Sequence, residues 1–170
     1  MPPTNADDGP APRTVSEERP LRGMRKTIAT RLQESYREAV HVTVSRAVDA
    51  GALLSVADTA GSGGVDVSLI DVLLRALSDT LAEHPAFNAT FEDDTHRIYE
   101  EHNVGVAVAI EDGLVTPVIE DVGSKSLAEI ARERRRLTER VQAGGYTMKT
   151  FQGGTLTVSN LGPLGVDSFD

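Results

Sequence analysis

The sequence predicts an α/β fold in which helices flank a mixed sheet. Three observations predict it. Segments of helical and strand period alternate along the chain, Asp112-Gly113 stands between two apolar runs as a tight-turn signal, and two Ser-x-x-acid boxes open helices. A hairpin pairs its strands antiparallel, whereas alternating helices and strands favour parallel neighbours, so the sheet is expected to contain both.

Residues 1–20 hold five of the eight prolines and almost no large apolar side chain. Such a segment cannot bury enough surface to offset its ordering entropy, so a disordered, Pro- and acid-rich arm is expected there, with one folded domain over 21–170. From Leu21 the pattern changes. Met24, Ile28, Leu32 and Tyr36 recur every four residues and predict a helix, with Arg22, Arg25, Lys26, Arg31 and Arg37 on its other faces. Val40, Val42, Val44 and Val48 then alternate with His41, Thr43, Ser45 and Ala47, the period of a half-buried strand.

A short helix is expected around Gly51 to Ala57, and a glycine-rich loop at Gly61 to Gly64. Ser68 caps the next helix, with Asp71 as its box partner and an apolar face of Leu69, Val72, Leu73, Ala76, Leu77 and Leu81; Pro85 ends it. Phe87 to Phe91 and Arg97 to Tyr99 read as strands around Asp93-Asp94. Val104 to Ile110 and Leu114 to Ile119 flank the Asp112-Gly113 turn. Ser126 and Glu129 open a charged helix that ends at Gly144-Gly145, and Thr155 to Ser159 is the last β run.

Composition excludes several function classes. The chain contains no cysteine, which removes disulfides, thiolate zinc sites and cysteine nucleophiles. A formal net charge of −9, with only three lysines, repels phosphate and argues against nucleic-acid binding. No stretch has the roughly 20 apolar residues of a membrane span, and no secretory signal is visible, so a cytoplasmic location is expected. The acidic, lysine-poor balance points to a halophilic cytoplasm, with an ordinary acidic bacterial protein as the alternative.

Five stretches, in order, resemble the catalytic domain of the dihydrolipoamide acyltransferases of 2-oxoacid dehydrogenase complexes. They are Pro20-Leu-Arg-Gly-Met-Arg-Lys-Thr-Ile-Ala29, His84-Pro-Ala-Phe-Asn-Ala-Thr90, Asn103-Val-Gly-Val-Ala-Val-Ala109, Gly113-Leu-Val-Thr-Pro-Val-Ile119 and Gly153-Gly-Thr-Leu-Thr-Val-Ser-Asn-Leu-Gly162. The resemblance implies a chloramphenicol acetyltransferase-like, two-layer mixed sheet with flanking helices, incomplete at the C-terminus. It implies transfer of an acyl group between a lipoyl thiol and coenzyme A, both as substrates, with no tightly bound cofactor and no metal. The implied partners are a homotrimer or larger core, a lipoyl domain on another chain, and the decarboxylase and dihydrolipoamide dehydrogenase components.

Such a transfer needs a base for the thiol proton and a donor for the oxyanion of the tetrahedral intermediate. In the family resembled, the base is the histidine of a His-x-x-x-Asp-Gly motif. The fourth residue after His41, His84, His96 and His102 is Ser45, Asn88, Glu100 and Val106, so none begins that motif. By the resemblance, Ser159 is the hydroxyl aimed at the intermediate; by residue type alone it is a serine making a local turn hydrogen bond. Arg25 matches the arginine that organises the site, and its alternative is a solvated helix arginine. Asn88 also matches the family, but stands outside the catalytic pair.

The other candidates read as structural. His41 is expected to pack on its strand, and His96 and His102 to lie on the surface. Arg132, Arg134, Arg135 and Arg136 are expected to pair with Glu129, Glu133 and Glu139 along their own helix. The Gly61 to Gly64 loop lacks a following Gly-Lys-Ser/Thr, so it is no P-loop. The function expected is acyltransfer with the base segment absent from this chain, which alone is then inactive. The alternative is a non-catalytic structural or regulatory subunit, or a degenerate remnant, associating with an acyltransferase core.

Overall fold

A computed structural model describes residues 13–61, 64–111 and 113–168. Residues 1–12 of the expected arm, Ser62 and Gly63 of the loop, Asp112 of the turn, and residues 169–170 lie outside the described residues. The chain divides into two compact units, Met1–His41 and Val42–Asp170.

In the first unit, residues 13–22 carry no helix or strand, and helix α1 spans Gly23–Glu38. The expected helix is present, but its apolar stripe is not covered. Met24 and Ile28 are half-buried, while Leu32 and Tyr36 are exposed.

The second unit opens with a correction. The expected strand over Val40 to Val48 is not formed, and residues on both alternating faces are exposed, Val44 at 93%. Alternation makes a strand only where a neighbour takes up its backbone groups and a surface covers its apolar face. Helix α2 follows at Gly51–Gly61, longer than expected, and α3 spans Leu69–Glu83.

Helix α3 is capped as expected. Ser68 N and Oγ both donate to Asp71 Oδ2 at 2.8 Å. Its buried stripe differs from the expected face: Asp71, Leu74, Ser78 and Leu81 are buried with Val72, whereas Ala76 is exposed. Two of these five are polar, so a reading by hydrophobicity turned the face away from them.

Strands β1 (Ala89–Glu92) and β2 (Thr95–Ile98) form a hairpin turned by Asp93 and Asp94, both with left-handed φ of 50° and 55°. Aspartate tolerates that region better than most residues, and two such residues match the twist of a hairpin. Phe87 lies in a 3-10 turn, Pro85–Phe87, not in the strand.

The next hairpin is interrupted. Strands β3 (Val104–Val106), β4 (Val108–Ile110), β5 (Gly113–Val115) and β6 (Val118–Ile119) replace the two continuous runs expected. β4 pairs with β5, and β3 with β6, in one unbroken antiparallel register. Pro117 causes the gap, because it accepts from Val106 N at 2.9 Å but has no N–H to return.

Helix α4 spans Leu127–Gln142, and strand β7 spans Leu156–Val158. β7 adds in parallel to β3, giving the order β6-β3-β7 and the mixed sheet expected. Leu74 of α3 and Ile130 of α4 pack with Val104, Val106, Ile119 and Val122 into one core. Full burial of Leu74, Ile119 or Ile130 contributes about 1.5–3 kcal/mol each. A second cluster joins Ala57, Val67, Val72 and Ala131.

The box that starts α4 is complete. Ser126 N and Oγ donate to Glu129 Oε2 at 2.8 and 2.6 Å, and Glu129 N returns to Ser126 Oγ at 3.3 Å. These bonds from Ser126 hold the Glu129 carboxyl below its ordinary pKa. Ser126→Ala is expected to cost about 1 kcal/mol in urea melts, with an unchanged m-value. An unchanged midpoint would contradict this role.

Candidate functional site

Strand β7 determines where the candidate donor sits. Its pairing with β3 runs through Val158, whose carbonyl accepts from Ala107 N at 2.9 Å. Ser159 is the first residue beyond that ladder, and it is exposed. The turn after it is closed by Asn160, whose Oδ1 accepts from Gly162 N at 3.1 Å. A 3-10 turn, Gly162–Leu164, then ends at Gly165, whose N donates to Gly162 O at 2.9 Å. The local turn bond therefore belongs to Asn160, and the Ser159 hydroxyl is left at a strand end.

A shallow groove of about 240 Å³ lies beside Asn160. Its walls include Ile70, Val106 to Ala109, Arg134 and Thr138. It is mostly apolar along the sheet, with polar groups from α4. Arg25 lies in the first turn of α1 and is exposed; it belongs to the first unit, and Ser159 to the second.

Each histidine has a definite place. His41 is exposed, not packed on a strand as expected. Its ring stacks on Tyr36 with centroids 6.2 Å apart, and Nε2 lies 3.3 Å from Ser35 O. His84 follows α3, and His96 is exposed on β2. His102 corrects the surface expectation: it is half-buried, with Nδ1 2.7 Å from the Oγ of buried Ser78.

Two arginines of α4, Arg134 and Arg135, differ from expectation, because their partners lie on other elements. Arg134 Nε donates to Asp71 Oδ1 at 2.5 Å, and its Nη2 donates to Asp71 Oδ2 and Ser68 Oγ at 3.1 Å each. Asp71 is 0% exposed. Burial raises its pKa more than any other single influence, yet the bonds from Arg134 and Ser68 together outweigh burial and hold the carboxyl below its usual range. Arg135 pairs with Asp66 at 3.0 Å, and Glu133 with Lys125 at 3.5 Å.

Asn88, set apart from the catalytic pair on sequence grounds, is fully buried. Its Nδ2 donates to Tyr99 O at 2.8 Å and Glu101 O at 3.1 Å. Its Oδ1 accepts from Thr155 Oγ1 at 2.5 Å. Among the described residues, no group of histidine, aspartate and glutamate side chains is arranged to hold a metal ion. No helix among them is long and apolar enough to cross a membrane.

Comparison with known proteins bears on the whole chain. The model of the 2-oxoacid dehydrogenases acyltransferase catalytic domain matches residues 14–170. The mouse mitochondrial pyruvate dehydrogenase protein X component is 32% identical over 168 residues, covering 99% of this chain and 34% of that protein. The dihydrolipoamide acetyltransferase of Azotobacter vinelandii, in which a serine, a histidine and an asparagine have been investigated for their role in catalysis, superposes with a TM-score of 0.84. It is 30% identical, with 99% of this chain and 72% of that one covered. The cubic core of a pyruvate dehydrogenase multienzyme complex superposes with a TM-score of 0.82 at 29% identity, again covering 99% and 72%. The chain spans about a third of the length of the curated relatives it matches.

Proposed function

The chain belongs to the 2-oxoacid dehydrogenase acyltransferase family, and from that premise we propose that it forms the donor half of an acyl-transfer site. The reaction moves an acyl group between a lipoyl thiol and coenzyme A. A thiolate attacks the thioester carbonyl, a tetrahedral oxyanion forms, and it collapses with loss of the other thiolate. Ser159 donates its hydroxyl to that oxyanion, and the thiol proton goes to a base outside these 170 residues.

The observation that carries this reading is the placement of Ser159. It sits at the end of a paired strand, exposed, with the turn bond taken by its neighbour Asn160. A donor must be free of a competing local bond, and this position leaves the hydroxyl free of the turn bond. The histidines support the second half. His102 is engaged with Ser78, and none of the four histidines precedes Asp-Gly at the spacing of the motif.

Assembly follows the same likeness. The cubic core and the acetyltransferase relatives favour a larger oligomer, and a lipoyl domain is the partner that the proposed reaction requires. Arg25, on α1 of the first unit, is proposed on the family match alone as the site-organising arginine.

One relative favours a second reading. The protein X component, matched over nearly the whole of this chain, carries no acyltransferase in its name. A structural subunit of the same core would fold identically and transfer nothing. The two are separated by grafting onto residue 170 the segment that carries His-x-x-x-Asp-Gly in an acetyltransferase relative. The acyltransferase reading expects this chimera to acetylate dihydrolipoamide from acetyl-CoA. A chimera that folds and assembles without turnover would support the structural subunit.

A further inference from the structure

We propose that Asn88 is a positioning residue of the acyl-transfer site: it locks the start of β7 and so holds Ser159 in place. The inference rests on the acyltransferase reading of Ser159.

Every polar group of Asn88 is used. Its backbone N donates to Pro85 O, and its backbone O accepts from Tyr99 N, both at 2.9 Å. The side-chain amide has one possible orientation. Two carbonyls, Tyr99 O and Glu101 O, face one end and need a donor, so Nδ2 lies there and Oδ1 turns to the Thr155 hydroxyl. One buried amide thus ties the turn before β1 to the segment after β2 and to the residue before β7.

Thr155 is held on a second side. Its N donates to Asn103 O at 3.0 Å, and Asn103 Oδ1 accepts from Asp121 N at 2.7 Å. The backbone just before this point runs close against its neighbours. A Cβ on Gly154 would lie 3.2 Å from Val118 Cγ2 and 3.6 Å from Gly105 N.

A three-residue strand constrains its own position weakly, because few ladder bonds fix it. Leu156 to Val158 pair with β3, with Thr155 directly before them and Ser159 directly after, so a shift at Thr155 is passed along the strand to Ser159. Misplacing a reacting group by about 1 Å can cost about a hundredfold in rate. Asn88 touches no reacting atom; its effect reaches the chemistry through Ser159.

Thr155→Val tests this with little change of volume, removing the strand end of the clamp while leaving both Asn88–carbonyl bonds. Asn88→Ala is the harsher companion, and Thr155→Val carries the test if that variant does not fold. The first readout is amide hydrogen exchange in the 170-residue chain. Thr155→Val is expected to speed exchange in β7 about tenfold, the loss of about one buried hydrogen bond, and to leave the β4–β5 hairpin unchanged. Unchanged exchange in β7 would overturn the clamp.

The second readout is acyl transfer in the chimera, where a base is supplied. Thr155→Val should lower kcat at least tenfold with both KM values unchanged, and should cost under twofold when Ser159 is already alanine. Equal losses in both backgrounds would overturn positioning through Ser159. If Ser159→Ala itself has no effect, the catalytic reading of Ser159 and the proposal resting on it fall together, while the exchange result still shows whether Asn88 clamps β7.

Discussion

Replacing Arg134 with methionine is expected to destabilise the protein by about 3–5 kcal/mol, measured by urea unfolding at neutral pH. The cause is the partner left behind. Asp71 is fully buried in the first turn of α3, and Arg134 supplies its only cationic hydrogen bonds among the described residues. Without them an ionised carboxylate stays in the interior with only Ser68 to donate to it. Joint replacement, Asp71→Leu with Arg134→Met, should cost less than Arg134→Met alone, because no charge is stranded.

The pH dependence gives the same account a signed test. The Asp71 carboxyl is held below its unfolded pKa of about 3.9. Its contribution is therefore fully present above about pH 4, and is lost as the pH falls through the lower folded value. In Arg134→Met burial is opposed only by Ser68, so the Asp71 pKa moves up. The stability that ionised Asp71 contributes is therefore smaller in the variant. The gap between parent and variant should narrow as the pH falls through the variant's Asp71 pKa. A gap that stays constant would mean that the pair is not electrostatically coupled to folding.

Ser159→Ala, made in the chimera that supplies the His-x-x-x-Asp-Gly segment, is expected to lower kcat by about a hundred- to a thousandfold, the usual cost of one oxyanion donor. Both KM values should be little changed, because the hydroxyl acts on charge that develops only in the transition state. Stability should hardly move, since Ser159 is exposed and the adjacent turn is closed by Asn160. Ser159→Thr, which keeps a hydroxyl, should retain more activity than alanine. A loss confined to KM would reassign Ser159 to substrate binding.

Local chemistry made much of this fold legible in the sequence. Both capping boxes, the left-handed Asp93-Asp94 turn and the parallel-plus-antiparallel pairing follow from residue types at short spacing. The misses share another cause, dependence on distant partners. Val40 to Val48 has strand period, but no strand accepts it. Asp71 and Ser78 lie on the buried stripe of α3 because Arg134 and His102 meet them there, and no window of α3 contains either partner. Helical spacing offers Arg134 neighbours on its own helix for the same reason. Motif likeness points to Ser159 and Asn88, while the burial and bonding of Asn88 depend on the fold. One sequence signal was available for it: an asparagine directly after Pro-Ala-Phe, where a chain leaving a helix must turn into a strand.

The most direct test of the central claim is an acyl-transfer assay of the 170-residue chain by itself, with acetyl-CoA and dihydrolipoamide, beside the chimera that supplies the His-x-x-x-Asp-Gly segment. The account predicts transfer by the chimera and none above the uncatalysed rate by the chain alone, because none of the four histidines stands in a His-x-x-x-Asp-Gly motif. Robust turnover by the chain alone would contradict it, and would require a base among the residues described above.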